Sequence, residues 1–182
     1  MKHALLICCL SLSTSFLTSA FSETYAADLT NETGGRHQAG EAKTGQYSSE
    51  GFFAGGENIF TAARLTDIRR AKSSEGYERI VFELVSSSED PNGVPYFHVQ
   101  PVPDEGRLVV SIWGDIDYDF DGAKIGKDFA KSELIKRLNV VPRVEDGVAI
   151  IEITMAPSKT SKKPRFEVFR LANKARIVVD VI

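Results

Sequence analysis

The stretch that decides the fold is ARIVVDVI, Ala175–Ile182, because it repeats an earlier stretch, GRLVVSIW, Gly106–Trp113. Each stretch places an arginine before a run of aliphatic residues, and β-branched runs of this length favour strands. Arg107 and Arg176 stand 69 positions apart. A fixed distance between similar segments is the sequence signature of an internal repeat, so further segments of the chain are expected to align at the same shift.

Two further pairs of segments align at the same shift. RIVFELV at 79–85 aligns with VAIIEIT at 148–154, and YFHV at 96–99 aligns with RFEV at 165–168. A fourth pair, LTDIRRA and LIKRLNVV, aligns when the shift is one residue longer. Chance resemblance among valine-rich strands is the alternative, but it does not explain why the distances between strands also agree. The alignment therefore predicts two similar halves.

The predicted fold class is all-β, a sandwich of two similar small β-sheets formed by two four-stranded halves, 63–114 and 134–182. A single small sheet has an apolar face that must be covered, and a second similar sheet can cover it. A helical turn or two is predicted only at 126–134. The predicted strands are 64–71, 78–86, 96–102, 107–114, 135–143, 148–156, 165–171 and 175–182.

Alternate side chains along the predicted strands divide into an apolar set and a mixed set. Because successive residues of a strand point to opposite faces, each set lies on one face of its sheet. The apolar set is predicted to form the shared core: Ile80, Phe82, Leu84, Leu108, Val110, Ile112, Ala149, Ile151, Ile153, Ile177, Val179 and Val181.

The mixed set is predicted to lie on the outer faces, where valines alternate with arginines and acids. Pairs of opposite charges on neighbouring strands would explain much of this pattern structurally. An apolar strip with polar groups at its edges is also typical of a binding surface, and both interpretations stay open. Under the second, the candidate ligand-binding residues are Arg79, Glu83, Arg107, Trp113, Glu152, Arg176 and Asp180.

The first 26 residues have the layout of a secretory signal peptide. Met1-Lys2-His3 is a short basic start, the apolar stretch ALLICCLSLSTSFL follows, and small residues come next. Cleavage is predicted after Ala26, with Ala20 as the alternative. The mature protein is therefore expected in the periplasm, in the cell envelope or outside the cell, without a membrane span after cleavage.

Composition narrows the remaining possibilities. The chain has 182 residues, of which 42% are hydrophobic and 26% charged, and its net charge of −3 gives no general attraction to nucleic acid. Both cysteines, Cys8 and Cys9, lie in the predicted signal peptide, so no disulfide or thiol chemistry is expected afterwards. Residues 27–62, rich in Gly, Ser, Thr and Glu, are predicted to be a flexible polar tail or linker before a domain at 63–182.

The sequence of this domain resembles the AMIN and AMIN-like domains of bacterial cell-envelope proteins. The resemblance rests on ERIVFEL, YFHVQPVPDEGRLVVSIWG, GVAIIEITM and RFEVFRLANKARIVVDVI, and covers about 63–182. The closing Arg-hydrophobic-Val-hydrophobic-Asp strand is the family's most recognisable feature. The resemblance implies a non-catalytic sandwich of two similar sheets in the periplasm or cell wall, which targets a partner domain and is associated with peptidoglycan binding.

One acidic segment has the spacing of a calcium loop. Asp117, Asp119, Asp121 and Gly122 spell D-x-D-x-D-G, and Asp128 stands at the twelfth position. In such loops alternate oxygens converge on the ion and the glycine allows a sharp turn. Flanking helices are not evident, so a solvated acidic connection is the alternative. Calcium is the only cofactor that the sequence suggests.

The chemistry of the remaining residues favours binding over catalysis. His37 and His98 lack the spacing of a zinc pair, and no nucleophile motif or phosphate loop is visible. The protein is therefore expected not to be an enzyme but an exported envelope domain that binds peptidoglycan or another envelope component. The alternatives are an accessory module that binds a protein of an envelope complex, and a calcium-dependent ligand binder.

Overall fold

The chain is built mainly of β-strands, as the alternating apolar pattern predicts. The computed structural model describes residues 35–56, 62–86, 93–141, 147–157, 163–171 and 173–182, all of which belong to one compact unit, Glu32–Ile182. The predicted signal peptide lies outside the described residues. The strands are β1 Arg36–Gln38, β2 Phe52–Gly55, β3 Ala63–Lys72, β4 Glu78–Ser86, β5 Phe97–Val102, β6 Arg107–Trp113, β7 Ile116–Tyr118, β8 Ile135–Val141, β9 Val148–Met155, β10 Phe166–Leu171 and β11 Arg176–Val181.

Within the described residues these strands form two mixed sheets. Sheet A has six strands in the order β1-β2-β5-β6-β9-β8, and sheet B has five in the order β10-β11-β4-β3-β7. The pairs β1–β2 and β3–β7 are parallel and the others are antiparallel. The prediction of one four-stranded sheet from each half is therefore replaced by a different arrangement. Each half contributes strands to both sheets, because β6 pairs with β9 and β11 pairs with β4.

The core lies between the two sheets. Every one of the twelve predicted core residues is buried, with at most 3% of its surface exposed. They belong to a single apolar cluster that contains side chains of both sheets, which makes the fold a sandwich. Full burial of a Val, Leu, Ile or Phe side chain contributes about 1.5–3 kcal/mol, so this cluster supplies most of the favourable free energy of folding.

Residues 35–56 differ from the predicted flexible tail, because they add two strands to sheet A. β2 pairs with β5, and Phe53 and Ala54 are buried. A Cβ at Gly55 would lie 2.7 Å from the Phe97 ring, so the close approach of β2 to β5 requires glycine. The Phe52-Phe53 pair in an otherwise polar segment is the sequence feature that marks this packing.

The helix begins earlier than predicted. α1 spans Gly122–Phe129, between β7 and β8. The Asp121 carboxylate caps it by accepting hydrogen bonds from the backbone nitrogens of Ala123 and Lys124 at 2.9 and 3.1 Å. Ile125 and Phe129, four residues apart, face the core.

A segment of the polypeptide covers the outer face of sheet B. This covering segment, residues 40–48, is held along β10 by backbone hydrogen bonds of 2.8 Å from Arg170 N to Gly40 O and between Ser48 and Phe166. Below it lie four outer-face side chains that are each at most 3% exposed: Glu167, Phe169, Val178 and Asp180. Sheet B is thus buried on both faces near β10 and β11.

Candidate functional site

The seven candidate residues of the outer faces do not form one site. Arg107, Trp113 and Glu152 lie on sheet A, whereas Arg79, Glu83, Arg176 and Asp180 lie on sheet B. The outer faces of a sandwich point in opposite directions, so no small ligand can touch both groups.

The candidates on sheet B are engaged in contacts within the chain. Arg79 donates two hydrogen bonds to the Asp180 carboxylate, at 2.7 and 2.8 Å, and Asp180 is fully buried. The hydrogen bond to Asp180 raises the pKa of Arg79 above its ordinary value. Glu83 pairs with Arg69, which is half exposed. These charge pairs correspond to the structural interpretation of the mixed set.

Arg176, the fourth candidate on sheet B, binds the backbone of the turn before β11. It donates hydrogen bonds to the carbonyl oxygens of Asn173 and Lys174 at 2.7 and 3.1 Å. Its side chain therefore holds the β10–β11 connection in place.

Two of the candidates on sheet A form an ion-pair network that remains partly exposed. The Arg107 guanidinium lies between Glu105 and Glu152, with 2.7 Å from its Nη1 to the Glu152 Oε1. Arg107 and Glu152 come from neighbouring strands, and their side chains are 23% and 17% exposed. A ligand on this face could reach both groups at the edge of the apolar strip.

Trp113 is part of an aromatic cluster on the same face. We call this cluster, formed by Phe52, Tyr96, His98 and Trp113, the aromatic platform. The His98 ring is 4.6 Å from Trp113 and 5.0 Å from Phe52 and Tyr96, measured between centroids. The Tyr96 and Trp113 rings are 5.4 Å apart. These separations lie in the range in which aromatic pairs attract each other, so the rings form one continuous surface.

A hydrogen bond and a nearby charge set the state of the histidine in the platform. The Tyr96 hydroxyl and the His98 Nε2 share a hydrogen bond of 2.6 Å. Partial burial lowers the pKa of His98 below its ordinary value, and the positive charge of Arg36 lowers it further. The neutral ring therefore predominates at neutral pH, which leaves the platform uncharged.

The platform continues into a partly exposed row across sheet A. His98 stands opposite Ser111, Ser111 opposite Ile150, and Ile150 opposite Val141. These side chains are half-buried, as are all four members of the platform. Sheet A thus offers a shallow surface that is aromatic near β2, β5 and β6 and aliphatic at β9 and the edge strand β8.

Sequence reasoning found only one of the four platform residues. His98 is considered there only as a possible member of a zinc pair, Phe52 falls in the predicted tail at 27–62, and Tyr96 is not selected. Tyr96 immediately precedes β5, so the alternation of strand side chains places it on the same face as His98 and could have paired the two. Their contact with Trp113 depends on the β5–β6 register, and the contact with Phe52 depends on β2, which has no periodic pattern.

The four acidic residues of the predicted calcium loop are divided among different contacts. Asp121 caps α1, Asp119 lies 3.5 Å from the Arg64 guanidinium, and Asp128 lies 3.2 Å from Lys131. Asp117 lies on β7 and faces solvent. Among the described residues no group of three or more potential metal ligands comes together. The structure therefore does not assemble the predicted site.

No family model, curated protein or solved structure was found to match this chain. In the part of the chain that the structure describes, no helix has both the length and the apolar character needed to cross a membrane.

Proposed function

We propose that this protein is an exported, non-catalytic binding domain of the cell envelope and that it contacts the glycan of peptidoglycan through the aromatic platform. The observation that carries the proposal is the set of four partly exposed, contacting rings on the outer face of sheet A. The resemblance to AMIN domains supports the same function, and the signal-peptide pattern supports export.

The chemistry of the platform suits a sugar chain. A pyranose ring has an apolar C–H face that packs on aromatic rings, and hydroxyls at its edge that need hydrogen-bond partners. The platform supplies both, because Tyr96 and Trp113 combine a large apolar surface with a polar atom. Ser111 and Gln100 lie beside it on the same face and add polar groups. A mainly apolar surface with a few placed polar groups is the usual composition of a ligand site.

We also propose that the two halves are related by an internal repeat, as the alignment predicts. The pairs Phe97↔Ile112 in β5–β6 and Phe166↔Val181 in β10–β11 have the same register after the shift of 69 residues. A β-bulge follows Leu65 in β3 and another follows Ile135 in β8. Under this proposal sheets A and B present equivalent outer faces, and the covering segment closes that of sheet B at β10 and β11, whereas the equivalent strands β5 and β6 of sheet A stay partly exposed.

Co-sedimentation with purified peptidoglycan sacculi tests the function. The wild-type protein is expected in the pellet, and Trp113→Ala is expected to weaken binding at least about tenfold because it removes the largest ring of the platform. Tyr118→Ala is the matched control, since Tyr118 is an aromatic residue on sheet B that is 39% exposed and lies outside the platform.

Three outcomes separate the proposal from its alternatives. Equal pelleting of wild type and Trp113→Ala would contradict the role of the platform. Failure of the wild type to pellet, together with capture of one stoichiometric envelope protein, would favour the accessory module. Binding that requires added calcium would favour the calcium-dependent binder. Soluble oligomers of N-acetylglucosamine should compete with sacculi if the glycan itself is recognised.

A further inference from the structure

A cleft lies at one edge of the sandwich, away from the outer face that carries the aromatic platform. It has a volume of about 550 Å³ and is lined by residues of β1, of the covering segment and of β10. β1 is an edge strand of sheet A and β10 is an edge strand of sheet B, so the cleft lies at the edge of the sandwich where these strands and the covering segment meet. Its volume is within the range of sites for small molecules, about 300–1,000 Å³.

Glu167 is a buried carboxylate in the wall of this cleft. Only 3% of its surface is exposed. Its Oε1 accepts hydrogen bonds from the backbone nitrogen of Thr44, from the Thr44 hydroxyl at 2.9 Å and from the Gly45 nitrogen at 2.8 Å. Three donors therefore converge on one oxygen, which fixes the carboxylate on the cleft wall.

The second oxygen of this carboxylate has no such partner. Glu167 Oε2 is buried, and no hydrogen-bond donor reaches it within the described part of the chain. A buried polar atom without a hydrogen-bond partner destabilises the folded protein, and more so when it is charged. Such an atom needs an explanation, and a donor supplied by a ligand is one that also accounts for the cleft.

Of the two basic residues near Glu167, Lys43 pairs with other carboxylates and Arg36 lies on the opposite wall of the cleft. Lys43, on the covering segment, contacts Glu75 at 3.3 Å and Asp180 at 3.7 Å. Arg36 lines the cleft from β1 and forms no ion pair with a carboxylate of the described residues. The cleft thus combines an acid from β10 and a base from β1, neither of which has an ion-pair partner in the described part of the chain.

The rest of the lining is suited to a small ligand with an apolar middle. Phe53 and Val168 contribute apolar surface, and the His37 ring stacks on Phe53 with 5.0 Å between centroids. The side chains of Gln46 and Ser48 add neutral polar groups. An acid and a base in one small cleft are complementary to a molecule that has both a cationic and an anionic end.

We propose that this cleft binds a free amino acid or a short peptide, with the ligand's ammonium group donating to Glu167 Oε2 and its carboxylate pairing with Arg36. This site is distinct from the aromatic platform and does not rest on the proposed glycan binding. Ammonium–carboxylate hydrogen bonds are charge-assisted, and so they would satisfy the buried oxygen more strongly than a neutral donor.

Calorimetric titration with three peptides tests the site without any substitution. The probes are trialanine, its N-acetylated form without the ammonium charge, and its C-terminal amide without the carboxylate. With protein expressed from the full 182-residue sequence, trialanine is expected to bind, and acetylation to weaken binding at least about tenfold. Amidation is expected to weaken binding less, because Arg36 is exposed.

Two variants show which residue is responsible for the loss of affinity on acetylation and which for the loss on amidation. Glu167→Gln keeps an oxygen that can accept from Thr44 and Gly45, and it is expected to bind free and acetylated trialanine equally weakly. Arg36→Gln should abolish the difference between the acid and the amide. Tyr118→Ala is the control and should leave peptide binding unchanged, because Tyr118 lies outside both the cleft and the aromatic platform.

The peptide series on the wild-type protein decides the proposal even if Glu167→Gln does not fold. Equal affinity for free and acetylated trialanine would overturn it, as would the absence of binding to any of the three peptides. In that case Glu167 serves only to hold the covering segment on sheet B.

Discussion

The two outer faces of the sandwich have similar sequences but different surroundings. On sheet A, Val109, Ser111 and Trp113 are partly exposed. On sheet B, Val178 and Asp180 occupy comparable positions on a central strand and are at most 1% exposed. The covering segment makes the difference, because it lies along β10 and contributes Lys43 and Thr44 to that face.

This comparison shows what an alternating strand pattern determines. Alternation decides which side chains face the core, and it does so equally for both sheets. Whether the opposite side chains meet solvent, a ligand or another part of the same chain depends on segments outside the strands. A mixed outer face is therefore accessible to a ligand only where the chain leaves it open, as it does on sheet A at β5 and β6.

The largest expected effect comes from truncating an aromatic residue on the covered face. Phe169→Ala should lower the free energy of unfolding by about 3–5 kcal/mol, because Phe169 is buried beneath the covering segment and its loss leaves a cavity. Trp113→Ala on the open face should cost less, about 1–2 kcal/mol, since its ring is only partly buried. Urea unfolding followed by circular dichroism measures both.

The variants Phe169→Ala and Trp113→Ala together distinguish a loss of stability from a loss of binding. Trp113→Ala should lose sacculus binding while remaining folded, and Phe169→Ala should lose stability first. Equal losses of stability in the two variants would show that the outer faces are equally buried in solution.

A second comparison concerns the ion pairs of the two faces. Asp180→Ala should cost about 2–3 kcal/mol, because it leaves Arg79, which is 31% exposed, without its bidentate partner. Glu152→Ala should cost less than about 1 kcal/mol, since Arg107 keeps Glu105 and water can reach it. Thermal melts of the two variants provide the test.

Salt gives the control for this comparison. The smaller effect of Glu152→Ala should shrink further at high ionic strength, whereas that of Asp180→Ala should change little because the carboxylate is buried. A salt-sensitive loss at Asp180 would mean that the covering segment does not seal this pair from solvent.

Eight strands and the core could be predicted from the sequence because they depend on local alternation. β3, β4, β5, β6, β8, β9, β10 and β11 follow the predicted segments closely. The distribution of these strands between the sheets could not be predicted, since it depends on pairing between distant segments such as β6 with β9.

There are also physical reasons why the sequence does not predict the remaining strands and sites. β1, β2 and β7 are three or four residues long, too short for any period to be visible. The role of Asp121 was hidden because an N-cap and a calcium ligand have the same residue type. The platform and the Glu167 cleft each combine residues that are far apart in the chain, so only the folded structure brings them together.

The smallest expected effect on stability is a pH dependence that comes from His98 on the outer face of sheet A. The pKa of His98 is lowered in the folded protein, first by burial and then by Arg36. The unfolded chain therefore takes up a proton, at a pH near the ordinary histidine pKa of about 6.5, before the folded protein does. Uptake by the unfolded chain favours unfolding, so the stability that His98 contributes is full above this pH and decreases as the pH falls towards the lower, folded-state pKa.

Urea unfolding of the wild type and of His98→Gln at pH 7.5, 6.5 and 5.5 measures this contribution as the difference between the two proteins. Carboxylates that titrate in the same range cancel in the difference, because both proteins contain them. The difference should move against the wild type as the pH falls, and by less than either substitution above. A difference that instead moved in favour of the wild type at pH 5.5 would mean that the folded protein stabilises the protonated ring. In that case the aromatic platform would be charged at low pH, and its affinity for a neutral glycan should change over the same pH range.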